Sequence, residues 1–104
     1  MTELWEILVP AADNEGRGFP VDHHREWDAR VRAISGGLTI MPAARGEWVG
    51  PEGTTFREKM IPVRMACTEQ QAIAIADMTA EYYDQKAVMV YRVSSKCIIR
   101  ERTK

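Results

Sequence analysis

The sequence has little cysteine, no excess of charge of either sign and no long apolar run, and each shortage removes a class of protein. Two cysteines, Cys67 and Cys97, are too few for the disulfide framework of a small secreted domain, which takes about four or more. Both sit beside apolar residues and are expected as buried free thiols. Fourteen Lys and Arg against fifteen Asp and Glu leave a net charge of −1. That gives no basic excess for a nucleic-acid or membrane-surface binder. No window approaches the roughly 18 apolar residues of a membrane span. The start, Met1-Thr2-Glu3-Leu4-Trp5-Glu6, lacks the basic and apolar regions of a signal peptide, so the cytoplasm is the expected compartment. Gly-x-Ser-x-Gly, P-loop, Cys-x-x-Cys and dinucleotide fingerprints are all missing, and no cofactor is expected.

What is present describes one globular domain. The 104 residues are 45% hydrophobic and 28% charged, a balance that folds without staples. Leu4 to Pro10 reads as a strand, with Trp5, Ile7 and Val9 on one face and Leu4, Glu6 and Leu8 on the other. Asp13, Asn14, Gly16, Gly18 and Pro20 mark a loop. Asp22 is placed to cap a helix from His23, whose apolar stripe is Trp27, Val31 and Ile34 and whose stop is Gly36-Gly37. Leu38 to Ala44 and Phe56 to Ala66 read as a hairpin around a turn-rich stretch, Arg45 to Gly53. Pro62 removes a ladder donor, which argues for an edge or a bulge. Thr68-Glu69-Gln70-Gln71 is a capping box opening a second helix. Its buried face is Ala72, Ala76, Ala80 and Tyr83, with Ile73, Ile75 and Thr79 nearby. Ala87 to Ser94 is a fourth strand and Lys96 to Glu101 a short fifth. The order β-α-β-β-α-β predicts an α+β, ferredoxin-like sandwich: a four-stranded antiparallel sheet, two helices on one face, and a short extra strand at the end.

The second face of that sheet is expected to need a cover. Ala87-Val88-Met89-Val90-Tyr91 is apolar on both sides, Leu4 and Leu8 back the first strand, and Leu38 and Ile40 oppose Met41 and Ala43. A sheet with one wet face alternates instead, and large exposed apolar patches are uncommon in monomers. A homo-oligomer follows, either a dimer closing into a barrel or a trimer around an axis.

Gly36-Gly37-Leu38-Thr39-Ile40, Arg45-Gly46-Glu47-Trp48, Pro51-Glu52-Gly53 and Glu58 resemble a family of small uncharacterised ferredoxin-like proteins with a Gly-Leu-Thr strand and a Gly-x-Trp turn. Over about residues 36 to 94 the layout also resembles, more distantly, the PII signal-transduction superfamily. That resemblance implies trimers that take small effectors in clefts between subunits. The glycine-rich phosphate segment of its nucleotide-binding members has no counterpart in Tyr83-Asp84-Gln85-Lys86-Ala87-Val88, and the loop between strands two and three is short. Only the architecture and a cleft-bound effector are therefore implied.

Four groups of residues are candidates for chemistry. His23 and His24 are adjacent, so on a helix they point about 100° apart and suit one metal poorly; they are expected as solvated helix-start residues, and no metal is expected. Trp48, between Gly46 and Gly50, either stacks on a ligand or folds back as a lid on the core. Arg57 and Lys59 share a strand face that Arg45 approaches across the hairpin, with Arg64 further along. They suit an anionic ligand or pair with Glu47, Glu52 and Glu58. The segment from Lys96 carries Lys96, Arg100, Arg102 and Lys104 against Glu101 around Cys97, Ile98 and Ile99, the pattern of a charged edge strand that blocks aggregation. Arg45, Trp48, Arg57 and Lys59 are the expected ligand site. The leading expectation is a non-enzymatic oligomeric module that takes a small anionic or nucleotide-like ligand between subunits, or a partner protein at the hairpin turn. The alternative is a cofactor-free dimeric barrel oxygenase or isomerase, its pocket walled by Trp5, Met89 and Tyr91.

Overall fold

A computed structural model describes residues 2–103. It contains strand β1 (Thr2–Pro10), helix α1 (Val21–Ser35), strands β2 (Thr39–Ile40), β3 (Ala44–Val49) and β4 (Thr55–Cys67), helix α2 (Glu69–Tyr82) and strand β5 (Val90–Cys97). The antiparallel sheet runs β2-β4-β1-β5, with β3 also on β4. Trp5, Ile7 and Val9 of β1 lie opposite Met65, Val63 and Ile61 of β4. These alternate residues form the floor on which both helices sit. Trp27 and Val31 of α1, and Ala72, Ile75 and the following Tyr83, complete the core. Trp27 donates its indole N–H to Thr79 Oγ1 at 2.9 Å, so the two helices are joined by a satisfied buried polar contact.

Local chemistry accounts for most boundaries. The Thr68 hydroxyl accepts from the Gln71 N–H at 3.2 Å, and the Gln71 side chain accepts from the Thr68 N–H at 3.0 Å, which is the expected capping box. Gly36 ends α1 at φ 84°, donating its N–H to the Arg32 carbonyl, a left-handed closure that glycine adopts freely. At the other end of α1 the cap is Pro20 with no side-chain capping bond. Asp22 is thus the second helical residue, favourable through the helix dipole rather than as a cap.

Several expectations are corrected. Arg45, Gly46, Glu47 and Trp48 are not a turn: they form β3, and only 50–54 turn between it and β4. The predicted second strand is broken at Met41–Ala43, and the register against β4 changes across the break. Pro62 explains it. Its carbonyl accepts from the Met41 N–H, so the edge where it has no N–H faces the interruption; the bulge expectation holds and the edge position does not. The fourth strand starts at Val90, not Ala87, and continues to Cys97, leaving 98–103 outside any strand. The separate fifth strand is therefore absent. Ile73 is exposed, because the core-facing side of α2 is Ala72, Ile75 and Thr79. Cys67 is buried and Cys97 half-buried, and both are free.

The second face is not uniformly apolar. Glu6 lies at its centre, only 5% exposed. Arg64 donates Nε–H to Glu6 Oε1 at 2.8 Å, and the Tyr91 hydroxyl donates to Glu6 Oε2. Leu4, Leu8, Pro62 and Met89 surround this triad on the same side. Trp5 faces the helices, so it cannot line a pocket on the second face.

Candidate ligand groove

β4 is 13 residues long and does two jobs. Met60 to Cys67 pair with β1, whereas Thr55 to Met60 pair with β3, so the first half of β4 extends past Pro10 with β3 as a two-stranded arm. The molecule measures 55 × 29 × 22 Å, with a radius of gyration of 14.9 Å against about 13 Å for a compact chain of this length.

A groove of about 790 Å³ opens where the arm leaves the sheet. Its walls are the arm, the loop 11–18 and the segment 85–89. The loop is pre-formed. The Asp13 carboxylate accepts from the Glu15 and Arg17 N–H groups at 2.9 and 2.8 Å, an Asx-type closure. Asn14 donates to the Asp84 carbonyl at 3.1 Å and accepts from Gln85 Nε2 at 3.2 Å. The two loop walls are thereby tied to each other, and the Ala11 N–H, donating to the Lys59 carbonyl at 3.1 Å, ties the loop to the base of the arm.

On the arm, cross-strand register sorts the side chains into two faces. Gly46, Trp48 and Met60 share a face with Phe56 and Glu58; Arg45, Glu47 and Val49 share the other with Lys59, Arg57 and Thr55. Trp48 and Phe56 are stacked at 4.4 Å and 18°. A Cβ on Gly50 would lie 2.9 Å from the Phe56 ring, so glycine there lets the ring close on the turn. The pair remains 49% and 42% exposed, and Trp48 is therefore a platform on the arm rather than a lid on the core.

Of the four expected ligand residues, Trp48, Arg57 and Lys59 line the groove; Arg45 lies directly opposite Lys59 but outside the lining. Glu47 accepts from Arg57 Nε at 3.4 Å, an exposed pair that contributes little to stability. Arg64 is not part of this cluster, since it faces the other way, onto Glu6. Of the apolar groove wall, Leu8, Met60, Val88 and Met89, Met89 alone was expected to line a pocket, in the barrel alternative; the others come together from β1, β4 and the segment before β5. Glu6 was likewise missed; a lone Glu among Leu4, Ile7 and Leu8 was the available signal.

The histidines are half-buried rather than freely solvated. His23 stacks between Phe19 (4.9 Å) and Tyr82 (4.3 Å), and His24 Nδ1 lies 2.6 Å from the Tyr83 hydroxyl. Burial, reinforced by His23, holds the His24 pKa below its ordinary value against the opposing pull of Asp28. Burial pushes Tyr83 and Cys67 up. Among the described residues no three His, Cys, Asp or Glu side chains converge to hold a metal, and no helix is long and apolar enough to cross a membrane.

No family model and no curated protein matches the sequence. Solved structures do match in fold. A CutA1 from Oryza sativa superposes with a TM-score of 0.67 at 11% identity, covering 94% of this chain and 83% of that one. The divalent cation tolerance protein CutA1 from Thermus thermophilus gives 0.66 at 10%, covering 98% and 88%. A phage SAM lyase in complex with S-methyl-5'-thioadenosine gives 0.65 at 14%, covering 90% of each chain. The chain has the α+β ferredoxin-like fold of these structures.

Proposed function

We propose that this chain is the subunit of a homo-oligomeric, non-enzymatic binding module that takes a small anionic or nucleotide-like metabolite in the groove beneath the arm. The carrying observation is the groove itself. At about 790 Å³ it falls in the range of roughly 300–1,000 Å³ usual for small-molecule sites. It offers an exposed aromatic platform, Trp48 on Phe56, on one face of the arm and the cations Arg57 and Lys59 on the other, so that a ligand reaching around the outer edge of β4 meets both. A flat heteroaromatic ring stacks on the first and an anionic group is received by the second. The bound nucleoside in the structurally similar phage lyase supports the size and shape of this ligand class. The apolar rim around the Glu6 triad supports association, since Leu4, Leu8 and the 61% exposed Met89 are left for another copy to cover.

The test is isothermal titration and native mass spectrometry with ATP, S-methyl-5'-thioadenosine and S-adenosylmethionine as probes. Saturable binding of one probe, lost in Trp48→Ala without a change in the circular dichroism spectrum, is the expected result. No binding by any probe to the assembled protein would overturn the ligand assignment. Release of methylthioadenosine from S-adenosylmethionine would overturn the non-enzymatic part.

A further inference from the structure

A second cleft lies on the helix face of the sheet and shares no lining residue with the groove. It encloses about 120 Å³ between α1 and the helix-facing residues of β1, β4 and β2. Its origin is the reach of α1. Ile40 of β2 lies opposite Val63 of β4, so both point to the side that the helices cover. Val63 is 1% exposed and Ile40 53%. The helix therefore covers β4 and stops short of the edge strand, and the cleft is the gap it leaves.

The cleft is apolar except at one rim. There His24 and Asp28 stand one turn apart on α1, a spacing of about 5–6 Å between Cβ atoms. The indole N–H of Trp27, which also lines the cleft, is already donated to Thr79. Asp28 is half-buried and makes no ion pair among the described residues.

Hydrogen bonding assigns the roles at this rim. The Tyr83 hydroxyl meets His24 Nδ1 at 2.6 Å. Burial pushes the Tyr83 pKa up, so the phenol keeps its proton. A buried hydroxyl is satisfied by donating that proton, which makes Nδ1 the acceptor. Burial also holds the His24 pKa down, so the ring is neutral near pH 7 and its own proton sits on Nε2. The rim thus presents one N–H donor and one carboxylate acceptor above an apolar floor.

We infer that this cleft is a second small-molecule site and that it takes a small aliphatic alcohol, whose carbon body fills the apolar floor while its hydroxyl donates to Asp28 and accepts from His24 Nε2–H. A hydroxyl oxygen donates once and accepts as well, so a single atom serves both groups, at the usual 2.7–3.0 Å or so from each. The bond to the carboxylate is of the stronger, charge-assisted kind. The same rim selects against other head groups. An ammonium group has only donors and would set an N–H against the imidazole N–H. A carboxylate would face Asp28 with like charge. Size limits the body. An apolar cavity of roughly 150 Å³ holds a benzene ring, so about 120 Å³ suits a branched chain of about four or five carbons. The site is independent of the groove and of any ligand bound there.

The test is a titration of the full-length, nitrogen-labelled protein followed by amide NMR. The probes are isopentyl alcohol, isopentylamine and isovalerate, which share one carbon body and differ in the head group. The alcohol is expected to shift the amides of Val9, Ile40 and Val63 saturably, with a Kd on the order of 1 mM. The amine and the acid should bind about tenfold more weakly. Asp28→Asn keeps the shape of the rim and removes its charge, and should weaken the alcohol roughly fivefold. Ile40→Trp, at an exposed position, closes the cleft and should abolish binding. Both variants should keep the wild-type circular dichroism spectrum. The absence of saturable shifts with the alcohol overturns the inference, as does amine or acid binding as tight as the alcohol. Full affinity in Asp28→Asn, or binding retained in Ile40→Trp, overturns it equally.

Discussion

The two halves of β4 share a strand and little else. From Val63 to Cys67 alternate residues are buried against α1 and α2, while every residue from Thr55 to Lys59 is exposed. The body holds its shape by close packing around Ile7, Trp27, Val31 and Ile75. The arm is held by one ladder, an exposed ion pair and the Trp48–Phe56 stack. A stack of that kind contributes about 0.5–1.5 kcal/mol, far less than a buried aliphatic. The residues that stabilise the body are therefore spatially separate from those proposed to recognise a ligand, and the exposed aromatic on the arm contributes little to folding.

Mutation should expose the contrast, most strongly in the body. Ile7→Ala removes a side chain with no solvent exposure and should cost about 2–5 kcal/mol, read from urea denaturation. Trp48→Ala should cost about 1 kcal/mol or less by the same measurement while removing ligand binding. An arm substitution as costly as the core one would erase the distinction between the regions. Between these extremes, Arg64→Leu leaves the Glu6 carboxylate with Tyr91 alone on the second face. It should destabilise by about 2 kcal/mol, the cost of an under-satisfied buried acceptor. Thr68→Ala removes one half of the capping box of α2 and should cost about 1 kcal/mol.

The smallest effect concerns pH. The folded-state pKa of His24 is held below its ordinary value of 6.5, so below that value the unfolded chain binds more protons than the folded one. Stability should be full above about pH 6.5 and decline as pH falls toward the depressed folded value. His24→Gln should flatten the melting temperature between pH 7 and 5, a range set by the ordinary histidine pKa of about 6.5. An unchanged slope would assign the pH dependence elsewhere.

The body was legible in the sequence because its signals are local. Thr68 with Gln71, Gly36 at the end of α1, and alternation through Trp5, Ile7 and Val9 each specify their own element. The arm was not, since Gly46, Gly50, Pro51 and Gly53 carry turn composition across a stretch that is half strand. The neighbouring strand Thr55 to Met60 holds Arg45 to Val49 extended, which overrides local preference. The buried Glu6 was hidden for a related reason: its partners Arg64 and Tyr91 lie 58 and 85 residues away. Of the candidate groove, Trp48, Arg57 and Lys59 were picked out by residue type and period, whereas the wall of Leu8, Met60 and Val88 exists only once β1, β4 and the segment before β5 meet.

The most direct measurement is native mass spectrometry of the unmodified chain with the probe nucleosides and nucleotides present. The account predicts a closed multiple of 11.8 kDa that carries one small molecule per subunit and loses that molecule, but not its stoichiometry, in Trp48→Ala. A bare species of 11.8 kDa at every concentration would contradict it, since the second face would then be uncovered and the groove empty.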